Sequence, residues 1–230
     1  MIESNRFTAG AFGHQDPPRG CKAWRWLAAL CGCMFLGTII AASSGSIGDF
    51  EHEIDIGGPL RAGSASYDAA RGEYRITGGG ANMWGQTDAF HYLYRQASGN
   101  FTLSARVHFP QSGGNEHKKA GWMVRQQLTP GSTYVDVVLH ASGLASLQYR
   151  LTEGGETQQI ESKISMPETI RLVRLGNSFS LWAARAGGPL ELAGSIEVTL
   201  HDPVFVGLAV CAHDAAALEE AVVSNVSASW

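Results

Sequence analysis

Two strand-like segments collect side chains able to exchange protons and hydrogen-bond. In residues 133–141, Val135, Val137 and Leu139 share one parity and leave Tyr134, Asp136 and His140 on the other. In residues 144–151, Ala145, Leu147 and Tyr149 point one way and Ser146, Gln148 and Arg150 the opposite way. Side chains alternate across a strand, and neighbouring hairpin strands must present matching faces to one core. Tyr134, Asp136, His140, Gln148 and Arg150 are therefore expected side by side on one exposed sheet face. Upstream, Trp84, Asp88, Phe90, His91, Tyr92 and Tyr94 form the richest aromatic and polar cluster. Such a mixture suits a sugar, with rings stacking on pyranose faces and Asp, Gln or Arg meeting the hydroxyls. Core packing is the competing reading, because Phe90, Tyr92 and Tyr94 share one parity. Arg125 and Arg150 can fork onto the carboxylate of an acidic sugar, or pair with Asp136 inside the face.

Other chemistry finds little support. His91, His108 and His140 lack the spacing of a transition-metal site, and no metal ligands are assigned. No Ser-His-Asp context, nucleophile elbow or phosphate-binding glycine loop is present. No catalytic residue and no cofactor are expected on these grounds. Cys211 lies in the apolar run Val204–Cys211, where burial disfavours a reactive thiolate.

The elements that must position these residues are strands. Phe101, Leu103, Ala105, Val107 and Phe109 alternate with Thr102, Ser104, Arg106 and His108. About a dozen such segments recur between glycine-rich turns, and 28 glycines with only 17% charged residues fit that pattern. The expected architecture is all-β, a sandwich of two antiparallel sheets. Residues 215–221 alone invite a helix and are too few to stand alone.

Residues 1–45 differ in kind. Lys22 and Arg25 precede an uncharged apolar stretch, residues 26–42, and small residues follow. This pattern predicts a hydrophobic signal helix, cleaved on secretion or retained as a membrane anchor. Residues 46–230 form the second unit, placed outside the cytoplasm, either secreted or in the cell envelope. Cys21, Cys31 and Cys33 sit in or beside the signal and leave Cys211 alone in the body. Residues 1–43 hold Arg6, Arg19, Lys22 and Arg25 but only Glu3 and Asp16, so 13 basic and 19 acidic residues follow, a balance of −6. That field repels nucleic acid, which is excluded as a partner. A membrane contact is expected only through an uncleaved N-terminal segment.

Several segments in order resemble a family. They are Asp55-Ile-Gly57, Gly63-Ser-Ala-Ser-Tyr67, Tyr74-Arg-Ile-Thr-Gly78, Ala81-Asn-Met-Trp-Gly85, Thr87-Asp-Ala-Phe-His-Tyr92, Ala105-Arg-Val107, Lys119-Ala-Gly-Trp-Met-Val-Arg125 and Leu147-Gln-Tyr-Arg150. Together they resemble a group of bacterial secreted domains in the concanavalin A-like lectin/glucanase superfamily, a type also found beside TolB-like propellers. The resemblance covers roughly Phe50 to Val226 and implies a jelly roll of two curved sheets. It suggests glycan contact and supplies no catalytic residues. Structural calcium is common in that superfamily and stays open, although no Asp-rich loop of calcium type is present.

Glu53-Ile-Asp-Ile-Gly57 also resembles the Glu-x-Asp-x-x-Glu strand of laminarinase-type glucanases. Retaining hydrolysis needs two carboxyls about 5–5.5 Å apart. Here Glu53 and Asp55 match, but Gly57 or Gly58 stands where the second Glu belongs. Glu51, Glu53 and Asp55 read better as the polar face of an edge strand. The expected function is a non-catalytic module that binds carbohydrate or another extracellular ligand on its concave face. Its expected contacts are Trp84, Asp88, Arg125, Asp136, His140, Gln148 and Arg150. The alternatives are a glycan-active hydrolase drawing on Glu53, Asp55, Asp88 and Asp136, and a structural or protein-interaction module.

Overall fold

The computed structural model describes residues 46–230. The expected signal or anchor, with Cys21, Cys31 and Cys33, lies outside the described residues. The chain forms β1 (His52–Ile56), β2 (Ser64–Asp68), β3 (Glu73–Gly78), β4 (Met83–Trp84), β5 (Thr87–Asp88), β6 (Phe90–Ala97), β7 (Phe101–His108) and β8 (Lys119–Arg125). It continues through β9 (Tyr134–His140), β10 (Ala145–Arg150), β11 (Gln158–Glu161), β12 (Thr169–Leu175), β13 (Ser178–Ala184), β14 (Glu191–Glu197), β15 (Val204–Cys211) and β16 (Glu219–Ser229). No helix occurs among the described residues; of the helix-like segment 215–221, Ala215 and Ala216 form a turn and Glu219 to Ala221 already belong to β16.

Two seven-stranded antiparallel sheets result. The first runs β1-β6-β15-β8-β9-β10-β11 and the second β14-β13-β12-β7-β16-β3-β2. Consecutive strands β6, β7 and β8 switch between sheets, as a jelly roll requires. The expected parity places the core. Phe101, Leu103, Ala105 and Val107 of the second sheet meet Val135, Val137, Leu139, Ala145, Leu147 and Tyr149 of the first in one buried cluster. This apolar surface, withdrawn from water, is the main stabilising contribution.

The sheets differ on their outer sides. In the second sheet β12 and β13 alternate buried with half-buried positions, as a strand with one wet face does. In the first, every residue of β8, β9 and β10 is buried. Its outer face is covered by the β4–β5 hairpin and the loops after β8 and β10. These segments are laced by backbone bonds: Asp88 N–H to Pro130 O at 3.0 Å, Thr157 N–H to Gly85 O at 3.0 Å and Gly154 N–H to Gly131 O at 2.8 Å. Beneath them a second apolar cluster holds Ile56, Met83, Phe90, Tyr92, Tyr94, Met123, Tyr134, Val138, Ala209 and Cys211. The core reading of Phe90, Tyr92 and Tyr94 is therefore correct, with the refinement that their core lies outside the sandwich. Gly57 and Gly80 let the cover approach. Both have positive φ, and a Cβ would run into the carbonyl oxygen of Asp88 at the first and of Ala89 at the second.

Candidate functional site

The expected polar face exists by parity, but its exposure is corrected. Asp136 and Gln148 are cross-strand partners, as are Tyr134 and Arg150. Arg125 pairs with Tyr134 and Lys119 with His140 from the other side. Asp88, Arg125, Asp136, His140, Gln148 and Arg150 are all buried, and only Trp84 reaches solvent, at 36% exposure. Over one end and the centre, the expected binding groove is covered by the protein's own hairpin and loops. Met83 and Met123 are buried there in the outer apolar cluster.

At one end of this face Asp88 is clamped between two guanidinium groups. Arg150 meets it through two bonds, Nη1 to Oδ2 at 2.9 Å and Nη2 to Oδ1 at 2.8 Å, and Arg125 Nη2 reaches Oδ2 at 3.3 Å. The Arg150 guanidinium also donates to the carbonyls of Gly85, Pro130, Ser132 and Gly155 and to Thr157 Oγ1. Arg125 Nε donates to Gln127 O at 2.7 Å. Each guanidinium also lies over a ring, Arg125 at 5.2 Å from the Phe90 centroid and Arg150 at 4.9 Å from Tyr134. The carboxylate expected from a sugar, or from Asp136, is supplied by Asp88. This cluster ties the hairpin to both loops.

Glu53 and Asp55 face away from the covered side. Ile54 and Ile56, on the other parity, pack with the outer cluster. Gly63 N–H donates to both Asp55 oxygens at 3.1 Å, and Ala65 N–H to Glu53 Oε2 at 2.8 Å. His91 bridges them, Nδ1 lying 2.8 Å from Asp55 Oδ1 and Nε2 3.2 Å from Glu53 Oε2. The pair staples edge strand β1 to β2 of the facing sheet. The clash described for Gly57 also explains why the glucanase-like motif has no side chain at that position.

The opposite end of the outer face opens into a cavity of about 310 Å³. Lys119, His140 and Gln148 form its floor. Trp84, Asn82, His117, His213, Gln159 and Glu161 form its walls and rim. Lys119 is 2% exposed; its Nζ donates to Gln148 Oε1 and Met83 O, both at 3.3 Å, and sits 5.7 Å from the Trp84 ring centroid. Burial pushes the Lys119 ammonium below its ordinary range, against the pull of Asp136 and weaker contributions from Cys211 and Asp88. His140 is pushed down to about 3 by burial and by the nearby Lys119, His117 and His213. Its Nε2 contacts Ser146 Oγ at 3.3 Å and Gln148 Nε2 at 3.4 Å, while Nδ1 has no partner. Behind them Asp136 is wholly buried, and neither carboxyl oxygen has a hydrogen-bond partner. Burial raises its pKa well above the carboxylate range, opposed by Lys119. All three groups are thus driven toward their uncharged forms.

A larger cavity of about 730 Å³ lies beside this one, with His140 shared between them. Its one buried cation, Lys118, is already neutralised by Glu219 at 2.8 Å and donates to Gly113 O at 2.7 Å. The unpaired chemistry belongs to the smaller cavity. Among the described residues no three His, Cys, Asp or Glu side chains are arranged to hold a metal ion. Cys211, facing Lys119 across β15 and β8, has its thiol pushed up to about 11 by burial.

Of the seven expected contacts, Trp84, His140 and Gln148 line the cavity, Asp136 lies behind it, and Asp88, Arg125 and Arg150 belong to the closed end. Sequence reasoning missed Lys119. It shares the parity of Met123 and Arg125, which was signal enough. Asn82, His117 and His213 sit on connections whose spacing carries no such signal.

No family model matches this chain, and no curated protein sequence is similar to it. Solved structures are similar in fold. A functionally unknown protein from Saccharomyces cerevisiae is 15% identical, with a TM-score of 0.60 over 80% of this chain and 98% of that one. The GH43 protein BlXynB from Bacillus licheniformis is 13% identical, with a TM-score of 0.52 over 70% of this chain and 33% of that one. A xylan beta-1,4-xylosidase from Bacillus halodurans is 14% identical, with a TM-score of 0.50 over 72% of this chain and 34% of that one. This chain spans about a third of the length of the latter two. At such identities the likeness concerns the fold alone, a jelly-roll sandwich of two antiparallel sheets.

Proposed function

We propose that the protein is a glycan-active enzyme whose chemistry takes place in the cavity over Lys119, His140 and Gln148. The observation that carries this reading is that a buried amine without an ion pair among the described residues, Lys119, and a buried imidazole with an unpartnered Nδ1, His140, both line an open cavity. Unpaired buried polar groups cost free energy, and they persist where function requires them. Burial makes the Lys119 ammonium give up its proton more readily than a free lysine does, which suits it to acid–base work. Neutral His140 and the Gln148 amide orient the hydroxyl or leaving oxygen beside it. Trp84 offers a ring face to a pyranose, and Asn82 and Gln159 offer amides to its hydroxyls.

This reading replaces the expected non-catalytic binding module. That module needed an open sheet face, and the face is closed by Met83, Asp88 and the two arginines. The similarly folded proteins whose names state an activity are also glycan-active, a GH43 protein and a xylan beta-1,4-xylosidase. Kinship with the bacterial secreted domains resembled by the motif order, and a site of action outside the cytoplasm, belong to the same proposal.

The test is release of new reducing ends from a polysaccharide panel, since hydrolysis and elimination both create them. Lys119→Met and His140→Gln are expected to lower turnover at least about 100-fold, the scale of lost acid–base catalysis, with the near-UV spectrum unchanged. Failure to release reducing ends from any panel member, or turnover indifferent to both substitutions, overturns the proposal.

A further inference from the structure

The protein as a whole is acidic, at −4, yet the cavity wall is not. Lys119, His117, His140 and His213 all contribute to it, from β8, β9 and the connections that flank β8 and β15. The three imidazoles adjoin one another, His117 lying 5.4 Å from His213 and 6.3 Å from His140 between ring centroids. Glu161, the one carboxylate in the wall, already accepts from Gln159 Nε2 at 2.7 Å. His213 adopts a left-handed backbone conformation, φ 55°, which a non-glycine residue adopts at a cost in strain. Burial holds His140 neutral and pushes His213 the same way, and His117 already has Glu116 at 3.6 Å, so the cation that faces the cavity without an ion-pair partner among the described residues is Lys119.

We propose that the glycan taken by this cavity is acidic, and that the carboxylate of a uronic acid residue sits against Lys119, His117 and His213. The inference rests on the glycan-active reading and adds the substrate class. The buried Lys119 ammonium donates to Met83 O and Gln148 Oε1 but has no carboxylate within ion-pair distance among the described residues. Asp136 lies behind it without hydrogen bonds, Asp88 is held by two arginines, and Cys211 is a buried thiol. An incoming carboxylate supplies the missing counter-charge from the open side, so the ion pair forms only when substrate is present. Gln148 and Asn82, whose Oδ1 is buried without a partner, then remain for the neutral hydroxyls. A neutral sugar of the same shape leaves Lys119 without a counter-charge in contact and binds less tightly.

The full chain is tested by calorimetric binding and by turnover with trigalacturonate and trimannuronate against xylotriose and laminaritriose. Uronate trimers are expected to bind at least tenfold more tightly than neutral ones. Lys119→Met is expected to erase that preference, and His213→Gln, on a half-buried connection, to reduce it about threefold should the first variant fold poorly. A preference for uronates unchanged in both variants overturns the inference. Turnover of neutral trimers with none of uronates overturns it too and leaves the glycan-active reading standing. Absence of binding and turnover for all four overturns both.

Discussion

The covered face of the first sheet ends differently on its two sides. At one end, Asp88, Arg125 and Arg150 are fully buried and every charge has a partner. At the other, Lys119, Asp136 and His140 are as deeply buried and lack adequate partners. The same parity rule on β8, β9 and β10 delivered Arg125 and Arg150 at one end and Lys119, Asp136 and His140 at the other, while Asp88 comes from the hairpin. Pairing separates them: the paired end fastens the hairpin and loops to the sheet, and the unpaired end faces a cavity. Buried charge is structural where its counter-charge is built in and reactive where it must arrive from outside.

Removing one partner at each end sharpens this contrast most strongly. Asp88→Ala strands two buried guanidinium groups and is expected to cost about 3–5 kcal/mol in urea unfolding. Asp136→Asn removes a carboxyl that accepts no hydrogen bond and that burial keeps protonated at low pH, and its cost at pH 5 is expected to stay under about 1 kcal/mol. Equal losses at both sites would dissolve the distinction.

A smaller effect lies in pH. The folded pKa of Asp136 lies above its unfolded value, so the unfolded chain releases that proton first as pH rises above about 4. Its contribution therefore favours the folded state at low pH and is lost as pH rises toward the folded value. His140 acts in the opposite sense. Its folded value of about 3 lies below the ordinary 6.5, so stability falls as pH drops from 6.5 toward 3, by up to about 1.4 kcal/mol per unit of separation. Unfolding followed from pH 3 to 8 is expected to lose the acidic slope in His140→Gln and the slope above pH 4 in Asp136→Asn. A wild-type curve retained by both variants would mean that neither group titrates as its surroundings demand.

The smallest expected effect is that of Trp84→Ala. Its ring is partly exposed at the cavity rim, so thermal stability should change by no more than about 0.5 kcal/mol. Glycan affinity should fall about fivefold, as a single lost aromatic contact implies. A large loss of stability would move Trp84 from the rim into the cover.

Much of this was legible in the sequence, and the reason is local. Strand parity needs only neighbouring residues, so the inward faces of β7, β9 and β10 and the shared side of Asp136, His140, Gln148 and Arg150 follow from alternation. Closure of that side is not local. Asp88 meets Arg125 across 37 positions and Arg150 across 62. The hairpin that carries Asp88 has strands of two residues each, too short for any period to register. The wall of the cavity is equally distant in sequence, with His117 and His213 brought together by connections that have no pattern to read.

The complete burial of β8, β9 and β10 has a consequence for motion. Separating these strands would open two apolar cores at once, which places them among the last parts of the molecule to open. Lys119, His140 and Gln148 are rooted in those strands, whereas Asn82 and His213 hang from connections and Trp84 from a two-residue strand. The cavity thus combines an anvil that keeps its shape with fittings free to adjust on the faster timescale of loops. Entry and exit of a ligand are matters for the rim; the spacing of the reacting groups is set by the sheet.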